Sequence, residues 1–186
     1  DEKSKTDYEI CLLPNEIYKD KCLKSSKTYN SLLTDKVLLK YSYESVFSRE
    51  TNREFYYHVI VYNKIYDIND KNKVLYENDD VLINKTSVSK NGNKISFDIN
   101  QEIDYKKYND IVNKYKKNYF SDVKAGLDVI VYLDNAIEER KIGTLYIPLS
   151  EKTFNVKTNS VNNKDKELKI EDNQFDSEGS IYIVIG

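Results

Sequence analysis

A chain of 186 residues, 39% apolar and 32% charged with a formal net charge of −2, is long enough for one domain that buries roughly 70% of its unfolded surface. The near balance of acids and bases excludes a general nucleic-acid binder, which needs a basic field to meet phosphates. Only 5 Gly and 2 Pro exclude a collagen-like or low-complexity chain, and no run of about 18 apolar residues offers a spanning helix in this portion. The 17 tyrosines sit in a chain equally rich in Asn, Lys and Ile, a bias that reads as AT-rich coding rather than as a binding signature. The chain opens on Asp1 and contains no Met, which reads as a processed or trimmed form, so a missing leader carries no information.

In chain order, residues 1–6 are polar and predicted to form a disordered tail. "DYEICLL" alternates as a strand, and "PNEIYKD" reads as turn and loop. "KVLLKYSYESVF" (36–47) places Val37, Leu39, Tyr41 and Tyr43 on one face. "EFYYHVIVYNKIY" (54–66) places Phe55, Tyr57, Val59 and Val61 on one face and Tyr56, His58, Ile60 and Tyr62 on the other, so this strand is expected to be covered on both sides. "SRETNR" between them reads as a polar, hairpin-like connection. "DINDKNK" is a polar turn, and "VLYENDDVLINKTSVS" reads as one strand broken by an acidic bend at 77–80. Asn91-Gly92 signals a hairpin into "ISFDI" (95–99). "LDVIVYL" (127–133), "IGTLYIPL" (142–149) and "TFNV" (153–156) are further strands, and 157–180 is predicted to be loop with one short strand at 168–170.

One segment breaks the strand pattern. In "IDYKKYNDIVNKYKKNY" (103–119), Tyr108, Ile111, Val112, Tyr115 and Tyr119 fall on one helical face. Asp104 suits the N-cap or first turn, and Lys114, Lys116 and Lys117 suit the C-terminal end of the helix dipole. The charged face carries Lys106, Lys107, Lys114, Lys116 and Lys117 against Glu102, Asp104 and Asp110, too weak an excess for a basic membrane anchor. Tyr108, Ile111 and Tyr115 are expected to be buried, with Lys107, Lys114 and Lys117 exposed. The fold class that follows is mainly β: an antiparallel β-sandwich of about eight to ten strands with one inserted amphipathic helix at 103–119, a single unit over 7–179.

"TYNSLLTDKVLLKYSYES" (28–45), the 103–119 helix, "LDVIVYL" and "IGTLYIPLSEKTFNV" (142–156) occur in this order, and together the chain resembles domain-of-unknown-function family 5305 over most of 7–160. The shared pattern is hydrophobic, with a few anchored tyrosines: a Tyr leading into a strand with Tyr-x-Tyr, the "iDY-x-x-Y" helix, then an "Ipl" strand. The resemblance implies an exported bacterial or archaeal domain held between two membrane-spanning segments. It implies no catalytic, ligand or metal residues, and Cys11 and Cys22 stand outside it.

Motifs for chemistry are few. His58 is the single His, mid-strand among aromatics, and reads as a packing residue. No G-x-S-x-G, P-loop, dinucleotide fingerprint or H-E-x-x-H is present. A Ca²⁺ loop counted from Asp67 fails, since Asn72 stands where the central Gly belongs and Asn78 where the closing Glu belongs. The sequon Asn84-Lys85-Thr86 is a chance product of an Asn-rich chain. Cys11 and Cys22 have two readings, free core thiols or a disulfide, and any disulfide joins these two across the turn at Pro14 and Asn15.

The expected function is a non-catalytic, extracytoplasmic domain of a membrane-anchored cell-surface protein. It acts by contact with a protein or cell-wall partner, without nucleic acid, cofactor or metal. The alternative is a carbohydrate or cell-wall binding module that stacks sugars on Tyr29, Tyr56, Tyr57, Tyr62 and Tyr66, provided several are exposed together. "SIYIVIG" (180–186) reads either as an edge strand or as the start of a C-terminal membrane span. The resemblance favours the span, so the natural chain is expected to continue past Gly186 into roughly 20 apolar residues.

Overall fold

The computed structural model describes residues 1–25, 27–119 and 122–163, and the backbone of 170–172. Among them, thirteen strands and one helix follow in the order β1 (Glu2–Leu12), β2 (Cys22–Lys24), β3 (Tyr29–Asn30), β4 (Thr34–Val46), β5 (Tyr56–Asp67), β6 (Asp70–Ser87), β7 (Ser89–Asn91), β8 (Lys94–Ile103), α1 (Tyr105–Tyr119), β9 (Val123–Asp134), β10 (Glu139–Leu149), β11 (Thr153–Phe154), β12 (Lys157–Asn163) and β13 (Ile170–Asp172). The fold is a nearly closed antiparallel β-sandwich with one helix, the class the periodicities predict. The strands hydrogen-bond in one continuous order, β6-β5-β9-β10-β12-β1-β4-β8-β7, with β13 on β12 and β2 on β1. This order folds at the β12–β1 seam into two layers, the sheets β2-β1-β4-β8-β7 and β6-β5-β9-β10-β12-β13, and β3 with β11 forms a small separate ladder.

Two seams join the sheets. At the first, β1 pairs β12 through Glu2↔Asn163 and Lys3↔Asn162 while its other edge runs the length of β4. Beyond those pairs, side chains continue the seam: Thr6 N–H donates to Ser160 Oγ (3.0 Å) and Thr6 Oγ1 to the Asn159 carbonyl (2.8 Å). At the second seam, the chain leaves β6 on one sheet and becomes β7 on the other with only Val88 between, whose N–H donates to Phe55 O (2.9 Å). A strand that switches sheets in this way makes the corner of a sandwich.

The alternating faces meet inside. Val37, Leu39, Tyr41, Tyr43, Ile95, Phe97 and Ile99 from the first sheet pack on Val59, Val61, Leu127, Val129 and Val131 from the second, all buried. Tyr57 reaches across to lie flat on Phe97, centroids 4.2 Å apart. Tyr41 lies against Gly143, where an added Cβ would stand 2.4 Å from its ring, and its hydroxyl donates to the Ile142 carbonyl (2.7 Å). The β9–β10 register shifts at this point, between Lys141 and Gly143.

Several expectations need correction. Residues 1–6 are no disordered tail: β1 begins at Glu2, which is buried, because its partners on both edges supply the ladder. Residues 48–53 are no hairpin, since β4 and β5 lie in different sheets, and the connection crosses the sandwich with Phe47 stacked on Phe55 (5.6 Å). No bend interrupts 77–80: these residues pair Lys64, Asn63, Tyr62 and Val61 of β5, with the irregularities placed elsewhere in that ladder. The Asn91 hairpin turns on Gly92 and Asn93, with Gly92 at φ 62°, the left-handed conformation glycine accepts freely. Residues 157–163 form a strand, because β10 and β1 pair with their backbone and the Ser160 hydroxyl and Asn159 carbonyl bond Thr6 at the seam. The predicted short strand lies at 170–172 rather than 168–170; "SIYIVIG" lies outside the described residues.

The helix occupies Tyr105–Tyr119, with the Asp104 carboxylate accepting from Lys107 N–H (3.2 Å) as an N-cap does. It closes one end of the sandwich. Tyr105 stacks on Phe154 (5.0 Å), the Tyr108 hydroxyl bonds Asp80 of β6, and Tyr115 meets Tyr76 edge-on (5.5 Å). Asn109 Oδ1 accepts from the Ser150 N–H (2.7 Å). The buried stripe is rotated from the expected one: Tyr105, Tyr108, Asn109 and Val112 are buried, Ile111 and Tyr115 are half-buried, and Tyr119 is exposed. Lys107, Lys114 and Lys117 are exposed as expected.

Candidate functional site

Among the described residues no helix covers the opposite end, which holds a cavity of about 410 Å³, within the size range of small-ligand sites. Its inner wall is Tyr43, Ile95 and Leu133, the last ring of the core. Phe47 and Phe55 form a stacked aromatic wall where the chain crosses between sheets. The polar side is built from the first seam and the β9–β10 turn. Glu2, held between Ser45 of β4 and Asn163 of β12, receives both terminal nitrogens of Arg140, at 3.2 and 3.4 Å. The Tyr43 hydroxyl donates to the same carboxylate (2.8 Å).

Burial, reinforced by the Glu2 charge, pushes the Tyr43 phenol far above its ordinary range, so it stays a donor. Arg140 is placed by a tight turn in which Asn135 Oδ1 accepts from the N–H groups of Ile137 and Glu138 (3.0 Å each) and Asp134 Oδ1 from that of Ala136 (2.7 Å). Ala136 stands at φ 70° in that turn. Glu138 approaches Arg140 Nε at 3.8 Å from the rim. Arg53 also lines the cavity, exposed and without an ion-pair partner among the described residues.

The five tyrosines proposed for sugar stacking do not form one exposed platform. Tyr29 is fully buried between Tyr8 and Phe154, and its hydroxyl donates to the Lys24 carbonyl (2.6 Å). Tyr57 faces the core. Tyr56, Tyr62 and Tyr66 lie on the outer face of β5, where Tyr62 bonds the Tyr132 hydroxyl (2.7 Å) and buried Tyr66 donates to that of Tyr146 (3.1 Å). His58 is buried on this face, stacked on Tyr132 (4.9 Å) with Nε2 3.5 Å from Glu139. Asp128 lies beside them, 3.1 Å from Lys64, its carboxyl raised by burial against the opposing pull of that lysine. Tyr62, Tyr66, His58 and Asp128 are each already engaged by a neighbouring side chain. Period-2 alternation separates the two faces of β5 correctly, but exposure depends on β9 and β10 neighbours far away in sequence.

Cys11 and Cys22 form a disulfide, opposite each other in the β1–β2 ladder. Among the described residues no group of three His, Cys, Asp or Glu is placed to hold a metal ion. The cavity lining contains neither His nor Cys. Its buried carboxylate is already held by a guanidinium and a phenol, an arrangement that offers fixed donors and acceptors rather than a mobile proton.

Sequence reasoning passed over the cavity residues. A signal was present: only three of the 29 basic residues are Arg, and two of those, Arg53 and Arg140, line the cavity. In a chain that otherwise uses Lys, a planar fork at a given position is a choice. No family model, no curated protein and no solved structure matches this chain.

Proposed function

We propose that this chain is a non-catalytic, extracytoplasmic domain of a membrane-anchored cell-surface protein that acts by contact with a protein or cell-wall partner. The observation that carries the compartment is the Cys11–Cys22 disulfide, a bond that persists in oxidising surroundings and is rare in reducing ones. The motif resemblance to domain-of-unknown-function family 5305 supports the membrane tether, and it stands on the quoted residues alone. Contact rather than chemistry is supported by the character of the end cavity, whose buried Glu2 and Arg140 are locked in mutual hydrogen bonds.

Protease treatment of intact cells that produce the full-length protein, followed by immunoblotting, tests the placement. Digestion from outside supports it, and protection until the cells are lysed sinks it. Crosslinking in the same cells, with mass spectrometry of what is captured, tests action by contact. A second reading, carbohydrate or cell-wall binding, no longer rests on the five tyrosines. The specific observation favouring it is the cavity with an aromatic wall and a paired carboxylate and guanidinium at its floor.

A further inference from the structure

We propose that the cavity at the helix-free end is a binding site for a neutral saccharide, with Phe47 and Phe55 as the stacking wall and Glu2, Arg140 and Arg53 as the hydroxyl-binding groups. The inference rests on the carbohydrate reading above and gives it a different location.

The ligand class follows from charge and shape. The charged side chains of the lining are Asp1, Glu2 and Glu138 against Arg53 and Arg140, so the site has no basic excess to attract an anion. What remains is a set of directional donors and acceptors. The Glu2 carboxylate has more acceptor positions than Tyr43 and Arg140 use, and the Arg140 guanidinium has five N–H groups, of which Glu2 takes two. A sugar ring presents neighbouring hydroxyls that both donate and accept, and a side-by-side carboxylate and guanidinium match that pattern.

The aromatic wall supplies the apolar half of the recognition. Phe47 and Phe55 are stacked at 5.6 Å and 23°, fixed where the chain crosses between the sheets. An aromatic face against the C–H face of a pyranose removes apolar surface from water without needing a charge. The core residues Tyr43, Ile95 and Leu133 make the floor rigid, so the polar groups are organised before anything binds. Arg53 has no side-chain partner of its own in the sequence neighbourhood: its backbone bonds Thr51 and Lys90, which fixes the loop and leaves the guanidinium at the mouth.

The test is backbone amide NMR of the whole domain, titrated separately with glucose, N-acetylglucosamine, their β-linked disaccharides and inorganic phosphate. Shifts confined to amides around Tyr43, Arg53, Phe55 and Arg140, saturating with one of the sugars at a Kd on the order of millimolar, are the expected result. Phe55→Ala and Arg53→Ala should each weaken that sugar by roughly tenfold, the effect of losing one anchor. Both residues are outside the fully buried core, so folding is checked by the unchanged spectrum of the helix end. No shift with any of the sugars, shifts elsewhere, or shifts unaffected by both variants would overturn the site. Phosphate moving the same amides while sugars do not would replace it with an anion site. Capture of a protein partner in cells with no sugar response leaves action by contact intact and rejects this inference alone. Consumption of the sugar would instead reject the non-catalytic reading while keeping the location.

Discussion

At one end of the sandwich, α1 presses Tyr105, Tyr108 and Val112 over the gap between the sheets, and nearby the Cys11–Cys22 bond ties β2 to β1. At the other end the same two sheets meet around Glu2, Arg140 and Tyr43, and a cavity is left. The closed end is finished with aromatic stacking and a covalent link, which depend little on solvent or salt. The open end is finished with a buried ion pair, whose desolvation cost is repaid only while every partner is in place. A fold under selection for stability alone has no reason to treat its ends so differently, and the difference marks the open end as the place to look for recognition.

Four measurements break or sharpen that contrast, beginning with the largest effect. Arg140→Met leaves the Glu2 carboxylate buried with only the Tyr43 hydroxyl, and should lower stability by about 3–5 kcal/mol in urea unfolding. Adding Glu2→Gln should recover a large part of that loss. A near-neutral Arg140→Met would mean that water reaches the pair and that the open end is not built around it. At the closed end, removing the disulfide in a Cys11→Ala, Cys22→Ala variant should cost roughly 3 kcal/mol in the chain-entropy account. Intact mass of the parent protein should be two hydrogens below the reduced form, and two alkylatable thiols in oxidised protein would reject the bond.

Smaller effects divide the helix. Val112→Ala should destabilise by about 2 kcal/mol, from two buried methyl groups and the space they leave. Ile111→Ala should cost less, because its side chain is only half covered. Equal losses would mean that the helix is rotated from the position described. The smallest effect is acidic. A hydrogen bond from Lys85, then one from the Ala136 N–H, holds the Asp134 carboxyl below its ordinary range. A depressed folded pKa stabilises above the unfolded value and loses that contribution as pH falls through the folded one. Thermal unfolding followed downward from about pH 6 should therefore fall less steeply below about pH 4 in Asp134→Asn than in the parent. Asp128, raised by burial, has the opposite sign and favours the fold only when protonated, so Asp128→Asn should not share this behaviour.

The strands were legible where one face alternates cleanly. Val37, Leu39, Tyr41 and Tyr43 all proved buried, as did Ile95, Phe97 and Ile99. The helix was legible because its period departs from that of its neighbours, although the stripe chosen was one position off. Tyr105 and Asn109 are buried too, but Tyr105 lies one turn before that stripe and Asn109 is polar, so the apolar period does not include them. Local pattern could not reach what distant partners decide. Glu2 looks like the start of a frayed end until Ser45 and Asn163 are placed beside it. Asn159, Ser160 and Asn163 look like loop residues until the seam takes their hydrogen-bonding groups. The cavity is assembled from residues near positions 2, 43, 53 and 140, and no window of sequence contains it.

The first seam also sets a timetable for the chain. Glu2 and Lys3 find their ladder partners only at Asn163 and Asn162, so the ring of strands stays open until nearly the whole described chain is available. Closing so long a loop is an entropic barrier, and topologies dominated by distant contacts fold slowly. A chain delivered gradually, whether by a ribosome or through a translocation pore, would expose β1 and the edge of β4 as half-built ladders until β12 arrives. The open-end ion pair, which needs Glu2 and Arg140 together, would be among the last features to form. Its assembly marks the meeting of the two ends of the described strand order rather than the folding of either sheet alone.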